Sequence, residues 1–130
     1  RGVAAGILTT AISQLEASGC RREQLLVALG PAVSGPNYQV ERSTSEQLGP
    51  IDALQAAGAL LDDPQEGRDR LDIRRAAHWQ LLQFGLRTEQ ISICPLCTVA
   101  EPELFHSWRR DQVKAVQWSG IVSQNADTPR

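Results

Sequence analysis

The chain has 130 residues, 42% hydrophobic and 22% charged, with 13 Lys+Arg against 15 Asp+Glu and a net charge of −2. That length suits roughly one domain of about 100–150 residues, and the composition is too apolar and too nearly neutral for a disordered chain. Near-neutrality argues against nucleic-acid binding by bulk phosphate attraction, and no apolar run approaches the ~20 residues of a membrane span.

Residues 3–17 read as a helix, with Ala4, Ile7, Leu8, Ala11, Ile12 and Leu15 spaced to make one apolar stripe. Gly19 supplies its stop, and Cys20 just beyond reads as a packing cysteine. Residues 25–29 (LLVAL) are short and apolar enough for a buried strand. The two Gly-Pro pairs of residues 30–37 make that stretch a loop, which matches neither the dinucleotide nor the Walker glycine pattern. From residue 41 to 67 the chain is polar or small, with a short helix expected near 51–61.

Helical period returns over residues 71–84, with Ile73, Ala76, Ala77, Leu81 and Phe84 facing the core. Asp72 is placed to cap its start and Gly85 to end it. Residues 90–94 and 114–123 alternate as strands, the second with Val116, Trp118 and Ile121 inward. Residues 124–130 form a polar tail expected to fray. The expected class is α+β (mixed α/β), with helices packed on a mixed sheet. Met is absent and the chain opens on Arg1-Gly2, which suggests a processed product or part of a longer protein.

Cys20, Cys94 and Cys97 are an odd, sparse set, so a reducing cytoplasm is expected rather than a disulfide framework. Cys94-Pro95-Leu96-Cys97 has the spacing of half a zinc site, but only His78 and His106 remain to complete it. A redox CxxC would open a helix, whereas Pro95 and Pro102 suggest a loop. The simpler reading is one functional cysteine and one incidental one. Phe105-His106-Ser107-Trp108-Arg109-Arg110-Asp111 concentrates arginines beside aromatics, a pairing that clamps phosphate or carboxylate and stacks on bases. The alternative is a solvated turn in which Arg109 pairs with Asp111 or Glu103. Arg74-Arg75 reads as structural, with one of the two on the exposed helix face.

Taken together, Arg1-Gly2 before a small-residue helix, LGPAVSGPNYQV, LDIRRAAHWQLLQFGL, ISICPLCT and ELFHSWRRD resemble the YfiH-like family. It is also called the laccase-domain or multicopper polyphenol oxidase family and is associated with purine nucleoside phosphorolysis and deamination. Its signature sets Cys-Thr ahead of Phe-Phe-Ser-Tyr-Arg-Arg-Asp, and Cys97-Thr98 with residues 105–111 keep that register. Ala100 stands where a second cysteine is common, and the Gly-Arg that often follows the Arg-Arg-Asp turn is absent.

The resemblance implies that residues 1–123 are the C-terminal part of a YfiH-like domain. It also implies zinc or copper held by two histidines and a cysteine of the N-terminal half. The last of these belongs to a His-Ala-Gly-Trp-Arg-Gly motif whose Arg-Gly corresponds to Arg1-Gly2. All three ligands then fall upstream, no metal is expected on this chain, and little activity is expected from it alone. The implied partners are a purine nucleoside and phosphate, with Arg1, Arg109 and Arg110 as their contacts. Cys97 is the site thiol and Ser107 a hydrogen-bond donor. Two other readings are a non-catalytic fragment that self-associates as a homo-oligomer, and an enzyme that edits peptidoglycan precursors. True multicopper oxidation needs many histidines, and the chain has two.

Overall fold

Helix α1 spans Ile7–Ala17, and its sequence-predicted glycine stop is realised. Gly19 has φ +100°, and Cys20 N–H donates to Leu15 O across it at 3.0 Å, the closure that a left-handed residue permits. The helix begins four residues later than periodicity suggests, because Gly2–Gly6 form turns and Gly6 is left-handed. Only Ile12 of the expected stripe is fully buried, and Ile7 and Leu15 are exposed. The computed structural model describes residues 1–124, so the tail at 125–130 lies outside the described residues.

Strand β1 is Val27–Leu29, shorter than the apolar run that announces it, with Leu26 left exposed. The polar stretch at 41–67 holds more than the expected helix. It contains α2 (Arg42–Glu46), α3 (Ile51–Ala56) and β3 (Leu60–Asp62), and it is flanked by β2 (Gln39–Glu41) and β4 (Arg68–Leu71). These strands make an antiparallel sheet in the order β2-β4-β3, with Val40 opposite Asp69 and Leu60 opposite Leu71. Asp69 and Leu71 point to the same, buried face of β4, as period-two geometry requires. Arg42 Nη2 meets the buried Asp69 Oδ1 at 2.8 Å, which partners a carboxylate that would otherwise be costly to bury.

Helix α4 spans Ile73–Gln83, and Asp72 caps it as expected, accepting from the N–H groups of Arg74 and Arg75. Gly85 ends it with φ +97°, and Leu86 N–H reaches back to Leu81 O at 3.1 Å. Strand β5 (Ile91–Ile93) then pairs in parallel with β1, Val27 opposite Ile91 and Leu29 opposite Ile93. The α+β class is therefore realised, but its strands form two sheets, one parallel pair and one antiparallel trio.

Helix α4 lies between two apolar clusters. Ala76 joins Val40, Leu48, Leu54, Ala59, Leu60 and Leu71 on the antiparallel sheet. Leu81 joins Ile12 and Leu86, with Val27, Leu29 and Ile91 packed alongside. One helix thus ties both sheets into one unit. Arg22 fastens the far end: it bonds both carboxylate oxygens of Glu16, donates to Phe84 O, and lies 4.4 Å over the Phe84 ring.

The strand expected at residues 114–123 is not formed. After α5 (Trp108–Asp111) the chain runs to Gln124 without regular structure. Val116 is 80% and Trp118 93% exposed, and Ile121 and Val122 are exposed as well. Alternation sets which faces a strand would show, but a strand also needs an edge to bond, and this segment takes none of the described ones.

Candidate functional site

The parallel pairing of β1 with β5 continues past their ends, and this extension builds the site. Cys94 N–H donates to Leu29 O at 2.8 Å, and Thr98 N–H to Ala32 O at 3.1 Å, so Cys97 lies beside Ala32. The Gly-Pro-rich loop then turns over the thiol. Ser34 N–H points at Cys97 Sγ from 3.2 Å, and Asn37 Nδ2 lies 3.7 Å from it. Residues 35–37 form a single helical turn, which aims these donors inward.

Cys97 is 8% exposed, and burial by itself would push its thiol up. Hydrogen bonds from the side chain and N–H of Ser34, and from the N–H groups of Ala100 and Val99, outweigh burial and bring it down to about 7. A concavity of backbone N–H groups that resembles an anion nest is therefore occupied by this sulfur. Cys94 is half-buried and carries no comparable set of donors among the described residues, whereas Cys20 is exposed rather than packed.

The same loop meets the arginine cluster. Arg109 lies over the Tyr38 ring, its guanidinium carbon 4.5 Å from the centroid, and donates to Gln39 O at 3.1 Å. That is its one hydrogen bond among the described residues. Arg110 is the opposite case. Its Nη1 donates to Thr98 O (2.8 Å) and Val99 O (3.2 Å), its Nη2 to Phe105 O (2.9 Å), and Nε and Nη2 both reach the Asp111 carboxylate (2.7 Å each). Those five bonds match the five N–H groups a guanidinium possesses. The ion pair with Asp111 that spacing offered to Arg109 thus belongs to Arg110, and that bond holds the Asp111 carboxyl below its ordinary range.

Ser107, buried, caps α5 by accepting from Arg110 N–H at 3.4 Å. Arg1 is exposed just ahead of the turns that precede α1 and shares no hydrogen bond with the Cys97–Arg109 group among the described residues. The structure therefore brings Cys97 and Arg109 to one loop, with Arg110 bonded to the turn after Cys97 and Ser107 capping the helix that carries both arginines. Sequence reasoning missed Ser34, Asn37 and Tyr38, although the Gly-Pro pairs flanking them marked a shaped loop. Arg74, read from the sequence as structural, is 7% exposed on α4 and donates to the carbonyls of Cys94 and Leu96, while Arg75 is the exposed member of the pair.

The metal implied by the family resemblance does not fit these residues. Among the described residues, no group of three or more His, Cys, Asp or Glu is placed to hold an ion, and His78, His106, Cys94 and Cys97 do not assemble. His106 stands 4.0 Å from Asp111 Oδ2 instead. No described helix is long and apolar enough to cross a membrane.

Residues 1–123 match the family model described as multi-copper polyphenol oxidoreductase laccase. A Synechocystis protein named purine nucleoside phosphorylase is 38% identical over 139 residues, covering 95% of this chain and 53% of that protein. The protein named purine nucleoside phosphorylase YlmD from Bacillus subtilis is 34% identical over 107 residues, covering 82% and 38%. The crystal structure of YlmD from Geobacillus stearothermophilus superposes with a TM-score of 0.74 at 26% identity, covering 85% of this chain and 41% of that one. The crystal structure of a Bacillus licheniformis YfiH protein gives 0.72 at 27% identity, covering 85% and 42%. The chain spans about half the length of the curated relatives it matches.

Proposed function

The chain belongs to the multi-copper polyphenol oxidoreductase laccase family, and on that premise we propose that it is part of a purine nucleoside phosphorylase. The supporting observation is that a single loop, Ser34–Gln39, meets both the Cys97 sulfur and the Arg109 guanidinium. In phosphorolysis a phosphate oxygen bonds to the sugar's anomeric carbon as the bond to the purine breaks, and the purine leaves with a proton. Negative charge must be held in place throughout. Arg109 suits that task because its charge persists and four of its five N–H groups are free among the described residues. Arg1 stands as a second contact from the family pattern, and Cys97 as a thiol whose charge state changes near neutral pH. Arg110 supports the site from behind, since its donors are engaged within the chain.

The adenosine deaminase activity and the zinc or copper dependence belong to this reading as family properties, as does a cytoplasmic setting. Among the described residues no group of metal ligands is assembled, and the family pattern puts the ligands in the part of the fold this chain does not span, so the chain by itself is expected to turn over little substrate. Inosine and adenosine turnover, with and without phosphate, tests the proposal. It is measured on the chain alone and on the chain joined to the part of the family fold it does not span. The joined protein is expected to release hypoxanthine only when phosphate is present, and Arg109→Ala to lower kcat/KM for phosphate by about 10- to 100-fold. Undiminished phosphorolysis in that variant would sink the assignment.

A second reading, self-association, is favoured by exposed Val113, Val116, Trp118, Ile121 and Val122 within ten residues. Light scattering distinguishes it: mass should rise with concentration, and Trp118→Ser should oppose the rise. A monomer at all concentrations excludes it.

A further inference from the structure

Arg109 and Arg110 are neighbours on α5, yet they reach different elements. Arg110 ties the helix to the carbonyls of Thr98, Val99 and Phe105. Arg109 instead reaches the segment that enters β2, with its guanidinium carbon 4.5 Å from the centroid of the Tyr38 ring and Nη1 donating to Gln39 O at 3.1 Å. Both of its partners are themselves fixed. Tyr38 N–H donates to Gly35 O at 3.0 Å, and Tyr38 O accepts from Leu71 N–H at 2.9 Å. Its ring packs against the cluster that holds Val40, Leu60 and Leu71. Gln39 pairs with Arg70 across the sheet, and its side-chain amide donates to Asp63 Oδ1 at 2.9 Å.

We propose that Tyr38 is a positioning residue whose ring holds the Arg109 guanidinium with its Nε–Nη2 edge ready for phosphate. A cation is attracted to the face of an aromatic ring, and a planar guanidinium stacked there has its plane set. Nη1 is engaged by Gln39 O, which leaves Nε and Nη2 without a hydrogen bond among the described residues. Their N–H groups form the parallel pair that meets two oxygens of one anion. An arginine ordered beforehand loses less freedom when it grips an anion, so the ring strengthens binding without touching the ligand. The role rests on the phosphate reading of Arg109, but its first readout needs no phosphate.

The test follows the Nε–Hε group of Arg109 by NMR relaxation in the full chain, its signal identified by its loss in Arg109→Gln. Its order parameter is expected in the rigid range, and it should fall to about 0.6 or below in Tyr38→Leu, which removes the ring but keeps an apolar side chain. Tyr38→Phe keeps the ring and should keep the order. If Tyr38→Leu leaves Arg109 as ordered as before, positioning is overturned. A Tyr38→Phe variant as mobile as Tyr38→Leu overturns it too, since the ring alone would then not hold the arginine.

Titration with inorganic phosphate, read on the same signal, separates this role from the reading beneath it. Tyr38→Leu should raise the half-saturating phosphate concentration by about two- to fivefold, the worth of an exposed cation–π contact, and Tyr38→Phe should bring it back. Equal midpoints in Tyr38→Leu and the unsubstituted chain overturn positioning and leave phosphate binding by Arg109 standing. An Arg109 signal that phosphate does not move overturns the phosphate reading and, with it, any positioning for phosphate.

Tyr38 also packs on the core, so a second measurement leaves it in place. The sequence has one tyrosine, and incorporating 3-fluorotyrosine therefore gives a single fluorine resonance. Arg109→Gln, at an exposed position, should shift that resonance. Phosphate should shift it in the otherwise unsubstituted chain and not in Arg109→Gln. A resonance that Arg109→Gln leaves where it was shows that no guanidinium lies on the ring, and overturns positioning with the core intact.

Discussion

Arg74, on helix α4, donates through Nη1 to the carbonyls of both Cys94 and Leu96, the latter at 2.8 Å. The helix that joins the two sheets therefore also carries the segment leading to Cys97. Its side chain is 8% exposed and its Nε lies 3.6 Å from Asp72 Oδ1, so the charge is buried among acceptors rather than in solvent. Removing one member of such a set leaves the others buried and unpaired, which costs more than the bonds themselves contribute. Arg74→Met is expected to destabilise the chain by about 2–4 kcal/mol. Urea unfolding measures the loss, and hydrogen exchange should show residues 94–98 losing protection first. A change confined to α4 would show that the anchor is not what holds this segment.

Trp79 packs its ring against Gly49, where a Cβ would stand 2.6 Å from Cζ3 and 2.9 Å from Cη2 of the indole. The ring is held by α4 and cannot swing away without disturbing the cluster around Leu48 and Leu54. Gly49→Ala should therefore cost about 1–3 kcal/mol by overpacking, read as a lower urea midpoint at an unchanged slope. Combining it with Trp79→Leu should recover part of that loss. A recovery of zero would mean that the backbone at Gly49, and not the ring, rejects the methyl group.

Glu16 and Asp111 are held below their ordinary values of 4.5 and 3.8, in each case chiefly by hydrogen bonds from an arginine, Arg22 and Arg110. The unfolded chain consequently takes up protons at higher pH than the folded one. Their stabilising effect is fully present above the ordinary values and is lost as pH falls through the lowered ones. Below the range in which the Cys97 thiol titrates, the melting temperature should stay level from about pH 6 to about 5 and drop below about 4. Thermal melts across that range check the direction, and Glu16→Gln should flatten the acid limb. Stability that rises on acidification would contradict it.

Much of the local structure was legible because it depends on near neighbours. Apolar spacing gave α1 and α4, Asp72 announced a cap, and Gly19 and Gly85 announced ends that only a left-handed residue makes easily. The motif register from Cys97-Thr98 to Asp111, with the blocks before it, was enough to indicate the family. The sheet at 39–71 was hidden because its strands are three or four residues long. Its buried Asp69 reads as surface until Arg42 is seen to partner it.

What the sequence could not decide is which of two adjacent arginines serves which purpose. Arg109 and Arg110 are chemically identical, and spacing offered Asp111 to either. Only the tertiary fold, by placing Tyr38 under one and the Thr98, Val99 and Phe105 carbonyls around the other, separates an available guanidinium from an engaged one. The alternation at 114–123 carries the same lesson in reverse: residues set the faces of a strand, but the strand itself requires a bonding edge. Length, charge, helix periods and caps are properties of the chain read locally. The convergence of the 34–39 loop, Cys97 and the arginines depends on pairings across some 60 to 70 residues. Contacts at that separation leave no period in the sequence, and so the site became visible only once the chain had folded.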